Sequence, residues 1–441
     1  MTNADLIGRF VSGACDGNVA DGTRDAAIKC LVDWTGVTIA GSREPVTRAV
    51  ARYAGLDDAA TPLFSNNAEP EKAALLNGTA AHALDFDDTH IPTDSHFSAV
   101  LWATLLAMTD PKFDNGDRLL RAFIAGYEVA AKLSGRRMGF SLQFRWFHPS
   151  GVLGRIATAA AAAAFLALDA DRAAHAVALA TTQASGLRSS LGSMAKPFQI
   201  GRAAADGIVC ANLARSGFDA ALDLLEPDGG FARAFVQDGS AQLAALDADT
   251  LGTDWAVLKT SFKPYACLHG IHPSIDASRE VAGEVDPAAV TAITAYVAPG
   301  VKKVGHFTDP KSPLEAKFSV AFCVALALSG REAGAADFTA DTVADPALRR
   351  LTALVDVRPE EGRKMLDSAV EVTLQDGQLL RGATDLSLGH PGNPMDWTDL
   401  GEKFITLSEP VLHDRALPLL KALRDFDSPG ALPEIARLLR S

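Results

Sequence analysis

Over roughly the first 260 residues, apolar side chains recur at i, i+3 and i+4, with Ala and Leu dominant. This period places one apolar stripe on each helix and is incompatible with the two-residue alternation of a half-buried strand. It predicts helices over Ala26–Ala40, Glu71–Asp88, Ala99–Met108, Arg118–Leu133, Val152–Leu168, Ala173–Gln183 and Ile200–Ser216. The Ala159–Ala164 run fits close helix packing, because small side chains let helix axes approach and Ala has the best helix propensity. The longest apolar run, Ile156–Leu168, is closed by Arg155 and Asp169. It falls short of the roughly 20 residues needed to cross a bilayer, so it reads as a buried helix.

The pattern changes near Ser261. Val290–Val297 is rich in β-branched residues and fits a strand. Val370–Leu374 and Gln378–Arg381 flank Asp376–Gly377, a strong hairpin signal, and Leu354–Val357 fits another strand. Ala316–Leu328 reads as a buried helix among them, and Gly389–Asp396, rich in Gly and Pro, as a linker. Leu400–Leu439 returns to the helical pattern. The expected fold is mainly α: a large all-helical domain over residues 1–260, a smaller α+β domain with a mostly antiparallel sheet over 261–400, and C-terminal helices over 401–441 packing back on the helical domain.

The 54 acidic and 41 basic side chains give a formal charge of −13, which argues against nucleic acid or an anionic membrane as partner, since phosphate contacts need concentrated Lys and Arg. A small anionic substrate needs only local positive charge. Cys15, Cys30, Cys210, Cys267 and Cys323 are scattered, without a CxxC pair, so neither a zinc site nor an iron–sulfur cluster is indicated. Reduced thiols and an N-terminus without an apolar signal core fit a cytoplasmic protein.

The residues able to carry chemistry fall in four places. In AAHALDFDDTH a continuing helix would put His82, Asp85 and Thr89 on one stripe, with Asp88 beside them and Asp87 pointing elsewhere. Gly78 on that stripe leaves room for a ligand or another helix. Aspartates at a helix C-terminus oppose the dipole, a cost that argues against a purely structural role. The alternative, a metal-binding acidic pair of a helical synthase, fits poorly, because Thr89, His90 and Ile91 follow Asp87–Asp88. Next, His96-Phe97-Ser98, His148-Pro149-Ser150 and His272-Pro273-Ser274 each precede an expected helix, with Ser as a good N-cap and Pro suited to the first turn. One such histidine would merely precede a capped helix. Three among only ten histidines point to a shared anion-binding site built on helix starts. Lys196 precedes a helix whose first turn would hold Arg202; a lone lysine there is more often a surface residue. Lys263 and His269, near His272, could add donors.

Taken together, AAHALDFDDTH, FHPSGVLGRIATAAAAA, GSMAKPFQIGRAAADG, SFKPYACLHGIHPSIDA and the later DPKSPLEAKFSVAFCVALAL resemble the MmgE/PrpD family, in that order and over nearly the whole chain. The family includes 2-methylcitrate dehydratase, cis-aconitate decarboxylase and iminodisuccinate epimerase. The resemblance implies a helical domain plus an α+β domain, a homodimer, a site between the domains and no metal or other cofactor. By motif match it implies functional roles for Asp85, Thr89, His96, His148, Lys196 and His272. Two departures stand out: Gln199 where members often carry His in KPLHAG, and His96-Phe97-Ser98 where many read HPS.

The implied activity is that of a metal-independent lyase, a dehydratase or decarboxylase of a small di- or tricarboxylic acid. The alternatives are an epimerase or isomerase of a dicarboxylate and a catalytically silent helical binding protein. Each reaction needs a proton moved at a carbon next to a carboxylate, and histidine is suited to that near neutral pH. His148 or His272 is expected to move the proton, with His96 also in the catalytic set. Lys196, helped by Arg202 or Lys263, is expected to bind carboxylates. Asp85 would orient an imidazole or hold a proton, and Thr89 would donate a hydrogen bond.

Overall fold

The computed structural model describes residues 1–16, 19–56, 62, 64 and 68–440. The chain divides into two compact units. One comprises Met1–Ala83, Asp87–Ser261 and Asp396–Ser441, and the other Leu84–Phe86 and Phe262–Met395.

The first unit is helical. Its elements include α1 (Asn3–Gly13), α2 (Asp21–Gly41), α3 (Pro45–Ala54), α4 (Pro70–His82), α5 (Phe97–Met108), α6 (Gly116–Phe144), α7 (Pro149–Phe165), α8 (Ala170–Thr182) and α9 (Ala195–Arg215). Every residue of α7 is buried, so its Ala-rich sequence reflects a helix enclosed by others rather than an amphipathic surface helix. Helix α4 lies against α9, and α7 packs on α6, α8 and α9. The α4–α9 crossing is close because it is glycine on glycine. A Cβ on Gly78 would sit 2.9 Å from Cα of Gly201, and a Cβ on Gly201 would sit 2.2 Å from the Leu75 carbonyl oxygen. The space at Gly78 is therefore taken by another helix. Near its end the unit gains a two-stranded antiparallel pairing of β1 (Thr89–His90) with β2 (Thr260–Ser261).

Several helix ends differ from the expected ones. The reading of a helix through Asp88 is corrected: α4 stops at His82, and Asp85 has φ +54°, a left-handed conformation that Asp tolerates better than most residues. The stripe joining His82, Asp85 and Thr89 therefore does not exist. Helix α6 runs on to Phe144 through a non-helical Gly135. Helix α9 begins at Ala195, so Lys196 lies inside its first turn and Arg202 about two turns in.

The second unit holds a four-stranded sheet in the order β4 (Val355–Pro359), β3 (Val290–Val297), β5 (Ser368–Leu374), β6 (Leu379–Thr384). The β3–β4 pair is parallel and the others antiparallel, so the sheet is mixed. The Asp376–Gly377 hairpin forms, with Gly377 at φ +89°. Helix α10 (His272–Ala282) packs on β5 and β6. The expected helix from Ala316 starts later, as α11 (Val320–Leu328), because Ser319 caps it by accepting the Phe322 N–H at 3.1 Å. Residues His390–Asn393 form a tight turn. Asp396 then caps α12 (Trp397–Leu412), which belongs to the first unit and packs on α2. There Lys403 Nζ donates to Asp33 at 2.6 Å and the Trp397 indole N–H to Asp25 at 2.9 Å.

Candidate active site

The end of α4 and the starts of α5 and α7 bring three imidazoles together in the first unit. The His82 ring lies 4.6 Å from that of His96 and 5.7 Å from that of His148. His96 and His148 are themselves the N-cap residues of α5 and α7, so Ser98 and Ser150 are the second helical residues and not the caps expected of them. Ser150 instead accepts the His96 backbone N–H at 3.0 Å, tying the two helix starts to each other.

Asp87 anchors this cluster. Both its oxygens lie 2.9 Å from Nδ1 of His82, and one lies 3.1 Å from Nδ1 of His96. The expectation that Asp87 points away fails because it rested on helical spacing beyond His82. Burial alone would raise the Asp87 carboxyl, but the two imidazoles turned toward it hold it well below the usual carboxylate range. The neighbouring Asp88 goes the other way. It is fully buried, and its burial and the nearby Asp33 charge push it well above that range. Burial, with the Lys196 charge adding to it, outweighs Asp87 and takes His82 down to about 4. His148 is also held well below the ordinary histidine value, by burial first and then by His82, Lys196 and His96. At neutral pH the neutral imidazoles of His82 and His148 therefore lie near the cation of Lys196, which is buried and not a surface residue. His82, Asp87 and His96 are also the one set among the described residues with ligating atoms close enough, all within 4.8 Å, to hold a metal ion.

On α9, Gln199 lies one turn beyond Lys196 and its Oε1 meets Nδ1 of His148 at 2.9 Å. The Arg202 guanidinium is paired with Asp206, which also accepts from the buried Arg155 at 2.8 Å. Thr89 is buried in β1, and its hydroxyl has no hydrogen-bond partner among the described residues.

The second unit carries its own group. Lys263 Nζ, fully buried, donates to the Asp85 carboxylate at 2.6 Å and to the Asp85 carbonyl at 2.8 Å. His272, the first residue of α10, is fully buried 4.8 Å from the His269 ring and 5.2 Å from that of Tyr265. Its Nε2 lies 3.3 Å from the Cys267 carbonyl oxygen. Burial raises the Cys267 thiol, but Cys323, His272 and Lys263 outweigh it and bring it down to about 6.

The MmgE/PrpD N-terminal domain matches residues 5–244 and the MmgE/PrpD C-terminal domain residues 265–423. The chain belongs to the MmgE/PrpD family. Among its relatives, the cis-aconitate decarboxylase of Mus musculus is 27% identical over 98% of this chain and 92% of its own length. That of Homo sapiens is 25% identical over 97% and 93%. A cis-aconitate decarboxylase of Aspergillus terreus is 26% identical over 80% of this chain and 74% of its own. The sequence places His96 and His148 at helix starts, whereas helical spacing does not mark Asp87, which meets His82 and His96. The signal was available: the dipole penalty on aspartates at a helix end is relieved if the helix stops before them, and α4 does.

Proposed function

We propose that this protein is a metal-independent lyase of a small di- or tricarboxylic acid, acting by decarboxylation or dehydration. The observation that carries the reading is the buried cluster of His82, His96 and His148, beside the Lys196 cation and anchored by Asp87. A cation among neutral imidazoles suits a carboxylate that must be bound next to a carbon where a proton is moved. Lys196 holds the carboxylate, and His148, neutral at pH 7, exchanges the proton. In decarboxylation the C–C bond to the departing CO₂ breaks, its electrons pass to the neighbouring carbon, and His148 passes there a proton that it has first taken up from solvent. In dehydration the imidazole removes a C–H proton, and the hydroxyl leaves as water with a proton from a second acid. Asp85, Thr89 and His272 enter as further participants on the motif match, and Lys263 as an additional donor to a carboxylate. The names of the relatives make cis-aconitate the first compound to test.

The test is a panel of di- and tricarboxylates, cis-aconitate included, followed by NMR. Release of CO₂ or of water supports the reading. Inversion of a centre alone would make the protein an epimerase, and no conversion of any carboxylate would favour a silent binding protein.

A further inference from the structure

The amide of Gln199 is held at both ends. Its Nε2 donates to the Leu187 carbonyl at 3.2 Å and to the Ser190 hydroxyl at 2.8 Å, while Oε1 faces Nδ1 of His148 at 2.9 Å. A carbonyl oxygen can only accept, so the amide nitrogen must face Leu187 and the amide oxygen must face His148. That oxygen also can only accept, so Nδ1 of His148 carries the proton and Nε2 carries the lone pair. The slot around the oxygen is made of glycine. A Cβ on Gly186, at φ +138°, would sit 2.9 Å from Oε1, and one on Gly151 would sit 3.5 Å away. The Gly186 carbonyl also accepts the backbone N–H of His148 at 3.1 Å, so one segment fixes both the main chain of the histidine and the partner of its ring.

We propose that Gln199 is a positioning residue that locks His148 as the Nδ1–H tautomer and so makes Nε2 the proton-accepting atom of the reaction. The catalytic half of this statement rests on the lyase reading above; the tautomer does not. Lys196 and Gln199 lie one turn apart at the start of α9. One helix turn therefore delivers both the carboxylate-binding cation and the residue that aims the base.

The experiment is ¹⁵N NMR of protein labelled at histidine, with His148 assigned by the signals lost in His148→Gln. Near pH 7 the wild type should show Nδ1 protonated and Nε2 bare. In Gln199→Met, which keeps length but removes the amide, the ring should shift toward the other tautomer. In Gln199→Glu the carboxylate favours the imidazolium, so the His148 titration should move to higher pH. On a turned-over carboxylate, Gln199→Met should lower kcat by roughly one to two decades with a much smaller change in KM, because a misdirected proton costs chemistry and not binding. The acid limb of the rate profile should move up in pH in Gln199→Glu. A wild-type His148 protonated at Nε2, or a tautomer unchanged in Gln199→Met, would overturn the proposal. Should Gln199→Met not fold, the wild-type spectrum and the Gln199→Glu titration still decide. The tautomer confirmed without turnover of any carboxylate would sink the lyase reading and leave Gln199 as the ring's lock.

Discussion

Asp87 accepts from Nδ1 of His82 at 2.9 Å and lies 3.1 Å from Nδ1 of His96, whose ring also meets the Asp88 carbonyl at 2.8 Å. Asp87→Asn keeps the shape but removes the negative charge that faces both rings. We expect kcat to fall by about 10²-fold or more with the helical circular dichroism preserved; unchanged kinetics would remove Asp87 from the machinery. Lys196→Ala should raise KM for the carboxylate by roughly one to two decades, the loss of one charged hydrogen bond, and normal binding would show that Lys196 is structural. His90 lies outside the imidazole cluster, and burial, with the Lys259 charge adding, takes it down to about 3. Between pH 6.5 and about 3 the unfolded chain binds a proton at His90 that the native chain does not, so this histidine makes stability fall as pH falls, by about 1.4 kcal/mol per pH unit. Urea unfolding from pH 6.5 to 4.5 should therefore decline less steeply in His90→Gln than in the wild type; equal slopes would show that His90 titrates normally. At this scale His96, His148 and Lys196 were legible as motif residues. Asp87 meets His82 and His96 only because α4 stops at His82, and Gln199 meets His148 only through a contact between helices remote in sequence, which no helical spacing encodes.

At the scale of elements, the helical period showed where helices lie but not where they stop. The end of α4 is the consequential case: two further turns would have carried Asp87 away from His96. The hairpin around Asp376–Gly377 and the β3 strand were legible because β-branched runs and turn residues act locally. The parallel β3–β4 pairing was not, since it joins strands far apart in the chain. The crossing of α4 and α9 sets the spacing between the helix that ends in His82 and the helix whose first turn holds Lys196. Gly201→Ala puts a Cβ 2.2 Å from the Leu75 carbonyl oxygen and 2.5 Å from the Thr79 hydroxyl. We expect a loss of about 1–3 kcal/mol in urea unfolding, together with reduced kcat. Gly13→Ala, at the end of α1 with nothing within 4 Å of its Cβ, is the control and should be neutral or slightly stabilising. Equal effects of the two would show that the helices can separate at no cost.

At the scale of the molecule, the family resemblance runs through both units, and among the described residues no helix is long and apolar enough to cross a membrane. The resemblance also leads us to expect a homodimer, so light scattering should give twice the 46.2 kDa of one chain, and an active species of that single mass would refute it. The His82–Asp87–His96 contacts, 2.9–3.1 Å, have hydrogen-bond lengths. The family resemblance implies no metal, so turnover should survive exhaustive dialysis against EDTA, and activity regained only on adding a divalent cation would assign that triad to a metal. The central claim is proton exchange at a carbon beside a carboxylate by a neutral His148. It is tested most directly by incubating wild type and His148→Gln with cis-aconitate and the related acids in D₂O and reading deuterium by NMR. Deuterium next to a carboxylate is expected in acid recovered from the wild type, with a rate lower by about 10²–10⁴-fold in a folded His148→Gln. Undiminished deuterium incorporation by His148→Gln would contradict it.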